Sequence, residues 1–321
     1  MLWTCRHGFE AALYEELFWA GAMPSMLGPA LLEADPKPGP APTFGRFGFQ
    51  VLLLPRVPPS TELVASRLRD AARGRPLCIQ AWAMDTPRAQ PLSPAAEALG
   101  LAVKAMVGNT VEPWAARERG GVLGQICFVD SELIAVGVVA ASEAVSLAPG
   151  GRQRMHRGAD APSRAALKLD EALSTLGVGP DKGERCVDLG AAPGGWTQRL
   201  VARGARVIAV DPAALAAPLR SHAKVRHVRD SAFRFSPDEP VDWLFCDMAW
   251  RPLEVAQLLA KWGRNGWATH VVANVKLPMK DKNGVLYRVR HVLEHDGRWK
   301  HVSIRQLYHD RDEVTLTARR A

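Results

Sequence analysis

Residues 185–196 read Arg185-Cys186-Val187-Asp188-Leu189-Gly190-Ala191-Ala192-Pro193-Gly194-Gly195-Trp196. A short apolar run closes on an acid and a glycine-rich turn, and helix-forming residues follow as far as position 203. Glycines at such a junction let the main chain approach a ligand closely, and the helix start offers unpaired N–H donors. Outward from this stretch the pattern alternates. It predicts strand 206–210, helix 213–221, strands 225–229 and 241–246, helix 252–262, strand 269–275 and a helix over 285–294. Two strands, 299–307 and 314–318, close the chain with no helix between them. This alternation predicts an α/β fold: a mostly parallel, doubly wound sheet of Rossmann-like type, ending in an antiparallel hairpin. Such sheets bind ligands past the carboxyl ends of their strands, so the chemistry is expected in the loops that follow them.

Toward the N-terminus a helix carrying Lys168 precedes the first of these strands. Further back the pattern turns into small α+β units. Two proline-rich breaks, 36–42 and 87–94, divide it. Strand 2–5 and helix 8–20 lie before the first break. Strands 47–54 and 77–83, with a helix over 61–72, lie between the two. A helix near 95–107 and the strands 122–129 and 133–139, hairpin-like around Asp130-Ser131, come after the second.

Composition narrows the class. Of 321 residues 47% are hydrophobic and 23% charged, which excludes wholesale disorder. No window approaches eighteen uninterrupted apolar residues, and Arg6, Glu10, Glu15 and Glu16 interrupt what a signal peptide needs. The five cysteines lie far apart in no CxxC pair, which fits a reducing cytoplasm rather than a disulfide framework or zinc ribbon. The expectation is a cytoplasmic protein with no membrane partner. The histidines show no HExxH, and His291 and His295 read as solvent-facing, so no metal is expected. Charge is uneven: residues 1–150 hold 12 basic and 14 acidic side chains, residues 151–321 hold 29 and 19. The basic half, with its arginine-rich stretch from Arg152 through Arg154, Arg157 and Arg164 to Lys168, suits a polyanion such as RNA or DNA; a solvated basic linker fits the same residues.

The loops carry more. The turn after the first strand is not GxGxxG and no Walker lysine follows, so a dinucleotide or nucleotide triphosphate fits poorly. The second strand leads to Asp211, where a carboxylate can accept both hydroxyls of a ribose. The third leads to Asp230 and the fourth to Asp247. A glycine turn with these acids fits an adenosine ligand lacking phosphate, and S-adenosylmethionine (SAM) is one; its sulfonium cation suits nearby carboxylates. Lys276 ends the fifth strand and Glu313 opens the last. Lys168, Lys276, Asp247 and Glu313 can form one cluster, in which repulsion and partial desolvation lower one lysine's pKa from about 10.4 toward neutrality. Such a cluster suits deprotonating a hydroxyl. Trp196 and Trp250 flank the expected pocket and are candidates for base stacking.

Pro162-Ser163-Arg164 with Leu167-Lys168-Leu169, the stretch Asp188 to Trp196, Cys246-Asp247-Met248, Leu277-Pro278-Met279-Lys280 and Arg305-Gln306-Leu307-Tyr308-His309-Asp310-Arg311 closely resemble the RlmM family. These are large-subunit (23S) ribosomal RNA (cytidine-2′-O)-methyltransferases, within the FtsJ-like ribose methyltransferases. The resemblance runs from about residue 159 to 320. It implies a catalytic tetrad of Lys168, Asp247, Lys276 and Glu313, with Lys276 as proton acceptor. It also implies SAM contacts from Ser163, the turn Ala192, Pro193, Gly194 and Gly195, and Asp211, Asp230 and Asp247. The partner it implies is large-subunit ribosomal RNA, bound by a monomer or weak dimer.

Cys5-Arg6-His7-Gly8-Phe9-Glu10 looks like the same family's opening segment. This implies a ferredoxin-like unit over 1–60, a THUMP-like RNA-binding domain over 61–150 and the methyltransferase domain over 151–321. Two alternatives stay open: a SAM enzyme with another nucleotide or acceptor, and a non-catalytic RNA-binding ribosome-assembly protein. After the fourth strand the chain has Asp247-Met248-Ala249-Trp250, not the Asn/Asp-Pro-Pro-Tyr/Phe pattern that base amine methylation favours.

Overall fold

The computed structural model describes residues 1–35, 39, 41–153, 155 and 165–320. The chain divides into two units, Met1–Gln153 and Arg154–Ala321. Among the described residues no helix is long and apolar enough to cross a membrane.

The first unit holds β1 (Leu2–Thr4), α1 (Glu10–Trp19), β2 (Met23–Gly28), β3 (Leu31–Asp35), β4 (Phe47–Leu53), α2 (Thr61–Ala72) and β5 (Leu77–Ala83). It continues with α3 (Ser93–Val107), α4 (Pro113–Glu118), β6 (Val122–Phe128) and β7 (Ile134–Ala140). Its strands form one sheet in the order β2-β3-β1-β4-β7-β6-β5, so the segments 1–60 and 61–150 meet where β4 pairs with β7. The expected hairpin is β6–β7, antiparallel from Val122↔Ala140 to Phe128↔Ile134. Two strands escape the sequence pattern. β2 contains Pro24, which reads against a strand, and β2 is an edge strand, where a missing N–H is tolerated. β3 then pairs it to β1.

The second unit holds α5 (Ala165–Leu176), β8 (Arg185–Leu189), α6 (Gly195–Ala202), β9 (Arg206–Val210), α7 (Ala217–Arg220), β10 (Val225–Val228), β11 (Val241–Cys246), α8 (Pro252–Arg264), β12 (Ala268–Lys276), α9 (Lys282–His291), β13 (Lys300–Arg305) and β14 (Glu313–Arg319). The sheet order is β10-β9-β8-β11-β12-β14-β13. The first five are parallel, and β14 inserts antiparallel between β12 and β13. This is the Rossmann-like α/β sheet that the alternation predicts. Parallel strands buried on both faces need apolar residues throughout. Accordingly Trp243, Leu244, Phe245 and Cys246 of β11 are all buried. On one side Leu169 and Leu173 of α5 and Trp196 and Leu200 of α6 pack with Cys186, Val207 and Phe245. α8 buries Val255, Leu258, Leu259 and Trp262, the last stacked on Phe235 at 6.2 Å.

The sequence overstates one helix. Of 213–221 only Ala217–Arg220 is helical. The Ala213 N–H is taken by the Asp211 carboxylate (2.8 Å) and the Ala216 N–H by the Pro193 carbonyl (2.9 Å). These bonds draw the segment onto the glycine turn and away from a longer helix.

Candidate active site

The switch point lies between β8 and β11, where the strand order reverses, and the glycine turn that follows β8 sits above it. Gly190 has φ +77 and a Cβ there would lie 2.6 Å from Met248 Cγ. Gly194, the N-cap of α6, has φ +115, and its Cβ would lie 2.2 Å from Leu219 Cδ1. Only glycine fits either place, and the result is a bare main-chain cradle at a helix start. Asp211 anchors it: Oδ2 accepts from Ala192 N (3.1 Å) and Oδ1 from Ala213 N (2.8 Å). Each oxygen keeps a second lone pair for a ligand hydroxyl. Asp230 follows β10, accepts from Ser231 N (2.6 Å) and Arg234 Nε (2.9 Å), and is thereby held below the usual carboxylate range. Ser163 lies outside the described residues.

Beside this cradle the antiparallel register of β12 and β14 builds the second half of the site. Lys276 stands opposite Glu313 and Asn274 opposite Thr315. Glu313 is 3% exposed and bridges two lysines: Oε1 is 2.5 Å from Lys168 Nζ, and Oε2 accepts from Lys276 Nζ. Lys168, in the first turn of α5, also reaches Asp247 Oδ1 at 3.4 Å. The four residues expected to cluster are therefore one connected group at the carboxyl end of the sheet. Burial works to raise the Glu313 carboxyl, but the two ammoniums outweigh it and hold it low. For Lys168 burial works downward, and Asp247, Glu313 and Asp310 outweigh that, so its pKa is raised. The lowering expected for one lysine does not fall on Lys168. Lys276 is the more open of the two, its side chain 40% exposed against 15%.

Several supporting residues escape the sequence. Asn274 donates to Asp247 Oδ1 (3.2 Å), and Thr315 Oγ1 lies 3.0 Å from both Asn274 Oδ1 and Asp310 Oδ2. A hydroxyl has one proton for those two acceptors. Asp310 is fully buried, and burial pushes its carboxyl up to about 8. Protonated, it donates to Thr315, Thr315 donates to Asn274, and every contact has a donor. The signal was available: Asn274 and Thr315 lie two residues from Lys276 and Glu313, on the same sheet face. Glu171, one turn after Lys168 on α5, is 3% exposed and accepts from Tyr308 N (2.7 Å), His309 N (2.9 Å) and His309 Nδ1 (2.7 Å). It ties the β13–β14 connection to the helix that carries Lys168. Glu171→Ala strands those donors, and we expect a loss of about 1–3 kcal/mol or more in denaturant unfolding, with Glu171→Gln losing less.

Trp196 does not line a pocket. It is 3% exposed, packs edge-on against Phe245, and its Nε1 donates to Ala165 O (2.8 Å), fixing the start of α5. Among the described residues no group of three or more His, Cys, Asp or Glu is placed to hold a metal. The groove lined by Arg185, Arg206, Lys224 and Arg226 lies at the opposite, amino-terminal edge of the sheet.

Asp188, buried under the turn, accepts from Thr197 Oγ1 (2.6 Å), yet burial still raises it to about 7. Both Asp188 and Asp310 bind a proton in the folded state well above the unfolded value of about 3.9. Through these two groups the folded chain holds more protons than the unfolded one across about pH 4 to 8, and their contribution to stability falls as pH rises. Thermal unfolding is expected at a higher temperature at pH 5.5 than at pH 8.5, with Asp310→Asn flattening the difference.

Comparison with known proteins gives the family. Residues 161–261 match the model of the FtsJ-like methyltransferase family. The ribosomal RNA large subunit methyltransferase M of Marinomonas sp. is 37% identical over 269 residues, covering 78% of this chain and 74% of that protein. The chain belongs to the ribosomal RNA large subunit methyltransferase M family. The member from Xylella fastidiosa (strain M12) is 40% identical over 205 residues, and that match spans 57% of its length. The one from Halorhodospira halophila is 44% identical over 175 residues, 54% of this chain and 51% of that protein. The family places its matched segment over α5 to α8, which hold Lys168, the glycine turn, Asp211, Asp230 and Asp247.

Proposed function

We propose that the chain transfers a methyl group from SAM to the 2′-hydroxyl of a cytidine in large-subunit ribosomal RNA. The observation that carries this reading is the connected chain Asp247–Lys168–Glu313–Lys276, beside a main-chain cradle at the switch point. The residues fit the cofactor: a cradle that a Cβ would fill, Asp211 with lone pairs for a ribose, and carboxylates toward a cation. Ser163, Ala192, Pro193, Gly194, Gly195, Asp211, Asp230 and Asp247 are assigned to hold it. When bound, SAM supplies an electrophilic methyl on a sulfonium.

The chain's own residues do the rest. Lys276 is the proton acceptor: its Nζ would take the 2′-hydroxyl proton as that oxygen accepts the methyl group that bound SAM would supply. Lys276 ends as an ammonium already paired with Glu313. Lys168, held protonated by its carboxylate neighbours, steadies the developing alkoxide. The segments 1–60 and 61–150 serve as the ferredoxin-like and THUMP-like parts that dock structured RNA through phosphate and shape contacts.

The test is methyl transfer from labelled SAM to ribosomal RNA from cells lacking this gene, beside RNA from normal cells, with nucleosides read by mass spectrometry. Incorporation as 2′-O-methylcytidine into the deficient RNA alone is the expected result. Label in another nucleoside, or in none while SAM binds, overturns the acceptor assignment.

A further inference from the structure

Trp250 lies three residues past Asp247, so their Cα atoms are at most about 10–11 Å apart. The Trp250 N–H donates to Met248 O (3.0 Å), which draws them closer still. Trp250 is 51% exposed, yet its indole is fixed at two points. Nε1 donates to Glu254 Oε2 (2.6 Å), and the ring sits 5.5 Å from that of Phe233. Phe233 in turn lies three residues past Asp230, so the pair joins the loops that follow β10 and β11. Arg251 and Arg234 neighbour the pair in sequence with side chains 84% and 76% exposed, each ion-paired on one side, Arg251 with Glu254 (3.1 Å) and Arg234 with Asp230.

An exposed aromatic held in one orientation has already lost the freedom that binding would otherwise remove. Every nucleobase offers a π face to such a ring, and exposed guanidiniums suit the phosphates on either side. The adenine of a cofactor calls for a closed apolar slot, which a half-exposed ring with polar and charged neighbours does not make. The unit's excess of basic residues points the same way. We propose that Trp250, backed by Phe233, is the platform on which a base of the RNA substrate stacks, within one nucleotide of the methylated ribose. The inference rests on the proposed function.

Steady-state methyl transfer by the full chain tests it. Trp250→Ala is expected to raise KM for RNA about tenfold or more, within the roughly five- to hundredfold that one stacking contact carries. The expected companions are kcat within a few fold and unchanged SAM affinity. Trp250→Phe keeps a π face and should stay near wild type, whereas Trp250→Leu keeps bulk without one and should behave as the alanine variant. An unchanged KM in the alanine variant, or a leucine variant as good as phenylalanine, overturns the platform. A loss of SAM affinity matching the KM effect overturns it in favour of a cofactor lid. Wild-type chain that binds SAM but methylates no ribosomal RNA overturns the functional reading itself, and the platform with it.

Discussion

Lys276→Ala is expected to lower kcat for methyl transfer by about 10²- to 10⁴-fold, the usual worth of a positioned general base. SAM affinity should change by no more than a few fold. Lys276 ends β12 with its side chain 40% exposed, so its removal opens no core cavity. The sharper comparison is Lys276→Arg. A guanidinium keeps the positive charge and the pairing with Glu313, but it has no lone pair to accept a proton and stays charged at any working pH. If Lys276 only neutralises Glu313 or orients RNA, arginine restores much of the activity. If it accepts the proton, arginine is as inactive as alanine. Recovery above about a tenth of wild-type kcat in the arginine variant sinks the base assignment.

How far the sequence carries can be seen in particular residues. Strands β8, β9 and β11 have the bounds that their largely apolar runs give, because a parallel strand covered on both faces buries most of its side chains, Asp188 being the buried polar exception. α7 fails because backbone bonds from the site, to Asp211 and to Pro193, compete with helix formation, and no composition rule reports them. Trp196 fails differently. Its position next to the turn is right, but the indole points into the layer between α5 and β11 and acts through Ala165. The cluster itself was legible only as four residue types at strand and helix ends. What joins them is a register, Lys276 opposite Glu313, between strands 37 residues apart in sequence. Buried Asp310 and Glu171, which fix that register's surroundings, look like ordinary loop and helix acids until their burial is known.

Glu313 is the residue on which both stability and turnover should depend. It is 3% exposed and holds two ammoniums, one of them on a side chain only 15% exposed. Breaking a buried pair by removing one partner typically costs about 3–5 kcal/mol, because the remaining charge is left without compensation. Glu313→Ala leaves Lys168 with Asp247 at 3.4 Å and sets it against Lys276 with no carboxylate between them. Chemical denaturation should show a loss of about that size, and methyl transfer should fall with Lys276 no longer held. Glu313→Gln separates the two roles, since the amide keeps the shape and one acceptor but not the charge. Its stability should lie between alanine and wild type, with activity near that of alanine. The pH dependence gives an independent check. Burial raises the Glu313 carboxyl but the lysines outweigh it, so its folded pKa lies below the unfolded value of about 4.3. Its contribution is therefore present above about pH 4.3 and lost as pH falls through the folded value. Wild type and Glu313→Gln should diverge in stability above about pH 4.3 and converge as pH falls through the folded value of the Glu313 carboxyl. Parallel curves across that range would remove the ion pair from the account and leave Glu313 a packing residue alone.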